Sequence, residues 1–457
     1  MCGIIGIFDH EKAAELATLG MFAEQHRGQE SCGMAVTDGR GFILRKNMGL
    51  VKQVFPPKAL KALPGRIAIG HVRYPTKGSA TDYNSQPHIV ATLSGPGYAL
   101  ASNGDIVNYR AIRSELEGLG VYFNSENDGE LILKYIVYAV EKENLTIPNA
   151  IKKLMTNVKG AYSTVLATND TMYLFRDPHA IRPMAWGRRE DGAVVVASES
   201  CALDILSVMQ RKEMKAGGII KVTTDGIEEF DNCAEEYREC GEAKHCVFEH
   251  IYFSRPDSHH FGEDVYSIRE KIGAILAAHD DDLNPDCVVP VPDSANFIAT
   301  GYAKAKKVEF SLGLIRNHYV GRTFIKPEQT IRDESVSQKF NPLPNYFKGK
   351  IVVLVDDSIV RGTTLRKLVK MVRKAGAAEI HLRIGSPQVK YSCYYGIDTP
   401  NREELIANAK TLEGIREHIG ADSLKHLPIE HLEKCVKTPK EYCYACFSGN
   451  YPISLKD

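Results

Sequence analysis

Three groups of residues in this chain have the types and spacing to do chemistry. The first is Cys2, directly behind the initiator methionine at the start of "CGIIGIF" (2–8). Methionine is trimmed before small residues, so a thiol and a free α-amine come to share one residue. An α-amine with an ordinary pKa of about 7.7–8 is able to act as base near neutrality towards a thiol of about 8.5. That is the N-terminal nucleophile arrangement; the plainer reading is a small apolar residue opening a buried strand. The second group is "VVLVDDSIVRGTT" (352–364), two acids behind an apolar run and a Gly/Thr turn before a helical pattern. A helix opening there offers unpaired N–H groups and a positive dipole end to a phosphate. Asp356 and Asp357 suit ribose hydroxyls, directly or through Mg²⁺. The third is Cys443-x2-Cys446, half of a metal or redox site. Cys233, Cys240, Cys246, Cys393 and Cys435 are candidate partners that spacing alone does not separate.

Other short stretches bear on the cysteine. Arg27 in "HRGQES" (26–31) and Arg73 in "GHVRYPT" (70–76) sit in polar segments where a guanidinium can hold a carboxylate bidentately. Asn103-Gly104 in "LASNGDIVN" (100–108) pairs a side-chain amide with a backbone N–H, an oxyanion site for acyl transfer, although N-G is also a turn dipeptide. Asp128 in "ENDGE" (126–130) suits an ammonium group. Thiol, oxyanion site and clamps for both ends of an amino acid describe hydrolysis of a side-chain amide.

The elements that must position these groups fall into two textures. Strand-like runs at 2–8, 66–74, 163–168, 171–177 and 193–200, with helical patterns at 11–26, 108–120 and 127–142, predict a β-rich first module over 2–230. From 247 to 400, "DCVVPVP", "EFSLGLI", "KIVVLVDD" and "EIHLRIGSP" alternate with helical segments, as in a doubly wound parallel sheet. The tail, 401–457, reads as helical and ends in "YCYACFSGNYP"; the polar piece 231–245 is the expected boundary. The 457 residues carry formal net charge zero, which favours neither nucleic acid nor an anionic membrane. Absence of a spanning apolar run and of a secretory start, with eleven cysteines, points to the cytoplasm and away from a disulfide framework.

Residues 2–8, 26–31, 70–76, 101–104 and 127–130 resemble the class II glutamine amidotransferase family, an α+β N-terminal nucleophile hydrolase built as an αββα sandwich. The resemblance implies Cys2 as nucleophile, Asn103 with Gly104 for the oxyanion, and Arg73, Asp128 and Arg27 around glutamine. Residues 352–364 resemble the phosphoribosyl pyrophosphate (PRPP) loop of type I phosphoribosyltransferases, an α/β fold. Carried over by position, Asp356, Asp357, Ser358, Arg361, Gly362, Thr363 and Thr364 hold PRPP. "VVPVPDSA" (288–295) is similar to the diphosphate-side loop, placing Asp293 and Ser294 in the Mg²⁺ region with Asp356 and Asp357. Residues 317–341 resemble the mobile flap, with Lys339 at its basic position and Ser337-Gln338 where relatives carry more basic character.

The two modules in this order resemble the amidophosphoribosyltransferase family, which implies glutamine and PRPP as substrates, purine nucleotide feedback and a homotetramer or dimer. One branch of that family carries a 4Fe–4S cluster, which the resemblance places on Cys246, Cys393, Cys443 and Cys446. Zinc on four thiolates is the competing reading. Other amidotransferases share the first module without needing the acid–threonine turn. A PRPP-sensing regulator would have no use for Cys2, Arg73, Asn103 and Asp128.

Overall fold

The computed structural model describes residues 1–74, 81–92, 97–230, 242–280, 282–319 and 339–455. The N-terminal module is two stacked antiparallel sheets between helical layers. Its strands Gly3–Phe8, Ser31–Thr37 and Ile67–Arg73 are buried along their whole length. One face meets the second sheet and the other meets a helix, so continuous apolar runs replace the usual alternation. These strands lie together in a seven-stranded sheet, with Gly3–Phe8 between Val194–Ala197 and Ile67–Arg73. A six-stranded sheet holds Tyr98–Ile106 between His88–Val90 and Gly160–Ala167. Ile4, Ile69, Ala101, Val165, Leu174 and Val196 fill the space between the sheets. Helix Ala13–Ala23 lays Ala17 and Met21 on Ile5 and Ile7. Helices Asp128–Glu143 and Ile147–Asn157 close the other side through Leu131, Ile136, Ile151 and Leu154. The αββα sandwich expected from the first module is the result.

The C-terminal module is a five-stranded parallel sheet in the order Glu309–Phe310, Cys287–Pro290, Ile351–Asp356, Glu379–Ile384, Ser423–His426. Helices Val265–Ala278 and Asn296–Lys306 cover one face and Thr363–Lys374 the other. Two expectations change here. The run 309–315 is not one strand: Glu309–Phe310 joins the sheet edge, while Leu314–Arg316 pairs antiparallel with Phe340–Pro342. Gly313, packed on Phe347 and Tyr346, sits at the break. Nor is the tail wholly helical. Ser423–His426 extends the parallel sheet, and Tyr442–Cys443 pairs with His245–Cys246. The boundary piece 231–245 lies outside the described residues over 231–241, as does the flap over 320–338. Among the described residues no helix is long and apolar enough to cross a membrane.

Candidate active site

Cys2 lies just ahead of the central strand, and its backbone is held at both ends. Its N–H donates to Asn103 Oδ1 at 3.1 Å, and Arg27 Nε donates to its carbonyl at 2.9 Å. Its thiol faces the carbonyl of Tyr74 at 3.6 Å, immediately beyond Arg73. Asn103 Nδ2 is buried with no hydrogen-bond partner among the described residues. A buried donor left unmade is costly. Gly104 follows with no space for a side chain, since a Cβ there would meet Ala161 O at 1.7 Å.

The clamps arrive from two other elements. Arg73 ends strand Ile67–Arg73, is 2% exposed, and donates from Nη1 to Glu30 Oε2 at 2.7 Å. Burial raises the Glu30 carboxyl above its usual range even against the pull of Arg73. Asp128 opens helix Asp128–Glu143, whose N-cap Asn127 accepts from Gly129 N–H at 2.9 Å. His88 Nε2 lies 3.2 Å from Asn127 Oδ1, and Glu130 accepts from Asn124 and Ser125 N–H at 2.9 and 2.7 Å. One supporting residue escaped sequence reasoning. Gln86 Nε2 donates to Ser102 O at 3.1 Å and Gln86 Oε1 accepts from Ser102 N–H at 2.7 Å, clamping the backbone beside Asn103. A contact made to main chain leaves no pattern of residue types to find.

Arg27 differs from its expected role at the substrate carboxylate. Its guanidinium is fully buried and committed within the protein: to Cys2 O, to Glu199 Oε1 at 2.5 Å, and to Glu249 at 2.9 and 3.1 Å. It braces the backbone of Cys2.

The acid pair stands at the carboxyl end of strand Ile351–Asp356. Asp357 Oδ2 accepts from Ser294 Oγ at 2.5 Å, its Oδ1 accepts from Ser358 Oγ at 2.6 Å, and its N–H donates to Asp356 Oδ1 at 2.9 Å. Burial first, then the charge of Asp357, pushes Asp356 well above the usual carboxylate range, with Lys339 opposing. Asp357 is raised by burial against its hydroxyl donors and Arg269. Gly362 caps helix Thr363–Lys374 at φ +74°, a left-handed conformation that favours glycine. Thr363 and Thr364 stand exposed at that helix start. Arg361 reaches Glu404 at 2.9 Å in an exposed ion pair, and Asp293 is paired with Arg316. An exposed pair of this kind holds weakly.

A family described as "Glutamine amidotransferase domain" matches residues 75–204, and one described as "Phosphoribosyl transferase domain" matches residues 263–384. The chain is 45% identical to amidophosphoribosyltransferase 2, chloroplastic, of Arabidopsis thaliana over 99% of its own length and 79% of that protein. It is 43% identical to the amidophosphoribosyltransferase of Methanocaldococcus jannaschii, over 100% and 98%. The chain belongs to the amidophosphoribosyltransferase family. A solved glutamine PRPP amidotransferase from B. subtilis, complexed with ADP and GMP, superposes with a TM-score of 0.91 at 38% identity, covering 100% of this chain and 98% of that one. As an amidophosphoribosyltransferase-family glycosyltransferase, the protein makes 5-phosphoribosylamine, glutamate and diphosphate from glutamine, PRPP and water, the first step of purine biosynthesis.

The amidophosphoribosyltransferase fold also gathers the tail cysteines. Cys246 and Cys443 are register partners in the parallel bridge. Burial, then the charges of Cys246, Cys443 and Cys393, push the Cys446 thiol well above its usual value, so the four lie within electrostatic reach. Burial takes Cys246 to about 11 and Cys443 to about 12. All four are free thiols, and Arg182 Nη2 points at Cys393 Sγ from 3.9 Å. Cys435, a candidate on spacing, turns instead to the carbonyl of His431 at 3.4 Å. Cys233 and Cys240 lie outside the described residues.

Proposed function

We propose that glutamine is cleaved at Cys2 and that its ammonia is consumed at PRPP held over the acid–threonine loop. The observation that carries this is the Cys2–Asn103 pair: backbone nitrogen 3.1 Å from Oδ1, with Nδ2 buried and unpartnered beside it. Removal of Met1 puts the free amine at that nitrogen. An α-amine ordinarily titrates near neutrality, so the amine freed at Cys2 is able to accept the thiol proton. The thiolate attacks the carboxamide carbon, Asn103 Nδ2 and the Gly104 N–H receive the oxyanion, and the amine returns the proton to departing ammonia. Water then opens the γ-glutamyl thioester. Arg73 takes the α-carboxylate in exchange for Glu30, and Asp128 takes the α-ammonium.

At the second site Asp356 and Asp357 take the ribose hydroxyls, while Ser358, Arg361, Gly362, Thr363 and Thr364 cradle the 5′-phosphate. Lys339, whose charge already reaches Asp356, faces the diphosphate. Ser294, Asp356 and Asp357 are hard oxygen donors that fit Mg²⁺, which when bound neutralises diphosphate charge. Cys246, Cys393, Cys443 and Cys446 fit a 4Fe–4S cluster that ties the tail to the core. Among the described residues no three His, Cys, Asp or Glu converge to hold a single ion, so metal analysis and a visible spectrum, rather than geometry, separate iron–sulfur from zinc.

Residues 2–230 form the amidotransferase unit, 247–400 the phosphoribosyltransferase unit and 401–457 the cluster-bearing tail of a cytoplasmic homo-oligomer, dimer or tetramer. It is inhibited by purine nucleotides, a reading supported by the ADP and GMP named for the B. subtilis structure. Binding of PRPP joins the two sites by an enclosed passage, so glutaminase activity equally fast without PRPP would defeat that coupling. The nucleophile is tested with Cys2→Ala. It is expected to lose glutamine-dependent release of diphosphate and to retain the reaction with added ammonia; full glutamine-dependent activity would defeat the assignment.

A further inference from the structure

We infer that Glu249, a carboxylate from beyond the amidotransferase sandwich, is the positioning residue of the Cys2 nucleophile; the inference rests on the reading of Cys2 above. Cys2 lies outside the strand ladder that begins at Gly3, so no sheet pairing fixes it. Its backbone direction is set by Asn103 at its nitrogen and by Arg27 at its carbonyl. The direction of Arg27 Nε depends in turn on what holds the far side of the same rigid plane. Glu249 holds it bidentately, with Nη2 donating to Oε1 at 2.9 Å and Nη1 to Oε2 at 3.1 Å. Glu199 takes one nitrogen only, through an oxygen that also lies 2.7 Å from His26.

Glu249 is itself fixed. Ser254 Oγ donates to its Oε2 at 2.8 Å, and Arg182 Nη1 lies 3.5 Å from Oε1. Both guanidinium groups and the carboxylate are fully buried, so the fork has no water to replace a lost partner. Burial alone would raise Glu249, but the charge of Arg27 holds it below the usual carboxylate range, and it is ionised at working pH. Neither Glu249 nor Ser254 belongs to the αββα sandwich; both lie in the segment that leads into helix Val265–Ala278. The amidotransferase site is thus completed by a residue from the neighbouring module, through a carboxylate that touches neither substrate nor thiol.

The test uses the full-length protein with Glu249→Gln. An amide offers Arg27 one acceptor and sets an NH₂ group against the other nitrogen, so the plane rotates off the Cys2 carbonyl. Displacing a reacting atom by about 1 Å costs on the order of 100-fold in rate. The expected result is that loss in glutamine-dependent kcat, with the glutamine KM within about twofold because Arg73 and Asp128 are untouched. Glu249→Asp, which keeps the carboxylate, is expected to recover part of the rate. A glutamine kcat within about twofold of wild type, or a raised KM at unchanged kcat, overturns the inference. If the Gln variant does not fold, Ser254→Ala removes the 2.8 Å brace: a lowered kcat at unchanged KM supports the inference, and an unchanged kcat overturns it. Cys2→Ala is assayed alongside. If it still uses glutamine, the nucleophile reading falls; if it is inactive while Glu249→Gln is fully active, only the role of Glu249 falls.

Discussion

At the scale of single residues, the amidotransferase site separates an acceptor from a donor within one side chain. Asn103 Oδ1 is occupied by Cys2 N–H, and Nδ2 is unpartnered among the described residues. Asn103→Asp keeps an acceptor for Cys2 and removes the donor. Losing one oxyanion donor is expected to lower glutamine-dependent kcat by about 10²–10³-fold. Steady-state kinetics should show that fall at nearly unchanged KM; a change confined to KM would place Asn103 in substrate binding instead. The acid pair makes a pH-dependent case. Asp356 and Asp357 are both raised by burial, so the folded state binds more protons than the unfolded state. Their contribution to stability without ligand is therefore full below the ordinary carboxylate pKa and is lost as pH rises through the raised values. Mg²⁺–PRPP bound at this pair, as proposed, would favour the ionised form and release those protons. The gain in melting temperature on adding Mg²⁺ and PRPP should grow with pH from about 5 to 8. A gain that shrinks over that range would contradict the assignment.

At the scale of elements, the strands that carry the chemistry were legible because each is a short apolar run ending in a polar signature. Gly3–Phe8, Ile67–Arg73 and Ile351–Asp356 lie within the runs read at 2–8, 66–74 and 350–357. Ser423–His426 was hidden because "SLKH" has almost no apolar content, and only the exposed edge of Glu379–Ile384 makes it a strand. The partners of Arg27 were out of reach for a related reason. Its three carboxylate and carbonyl partners come from 25, 172 and 222 residues away, beyond any local pattern. Gly362 shows an element whose local sequence does determine function. At φ +74° an alanine costs about 1–2 kcal/mol, while its contact with Ile406 Cδ1 at 2.9 Å is to a flexible end that can give. Gly362→Ala is expected to shift the start of helix Thr363–Lys374 and raise the PRPP KM about tenfold. Acylation of Cys2 by glutamine, followed in a single turnover without PRPP, should stay as in the wild type. Equal losses at both sites would mean general unfolding.

At the scale of the whole molecule, the modules share a buried seam rather than a linker. Arg27 and Glu199 come from the sandwich, Glu249 from the next segment, and Arg182 reaches on to the carbonyl of Tyr395. Beside it, Gly396 packs so close to Gly104 that a Cβ would meet its carbonyl carbon at 3.0 Å. The loop after Cys393 thus lies against strand Tyr98–Ile106 of the other module. Separating the modules would strand several charges that have no exposure in the folded chain. Breaking one buried pair typically costs about 3–5 kcal/mol, comparable to much of a domain's net stability. A sandwich and a parallel sheet of this size would ordinarily melt separately, but here neither can unfold without leaving the other's guanidinium or carboxylate unpaired. Scanning calorimetry of the full-length protein should therefore give one transition, with the van't Hoff and calorimetric enthalpies agreeing. Arg27→Met, which among the described residues leaves Glu249 only Arg182 and Glu199 only His26 as charged partners, should split that peak or move it down sharply. Two resolved transitions in the unmodified protein would mean that the seam does not hold the sites as one body, and the coupling of ammonia release to PRPP would need a different structural basis.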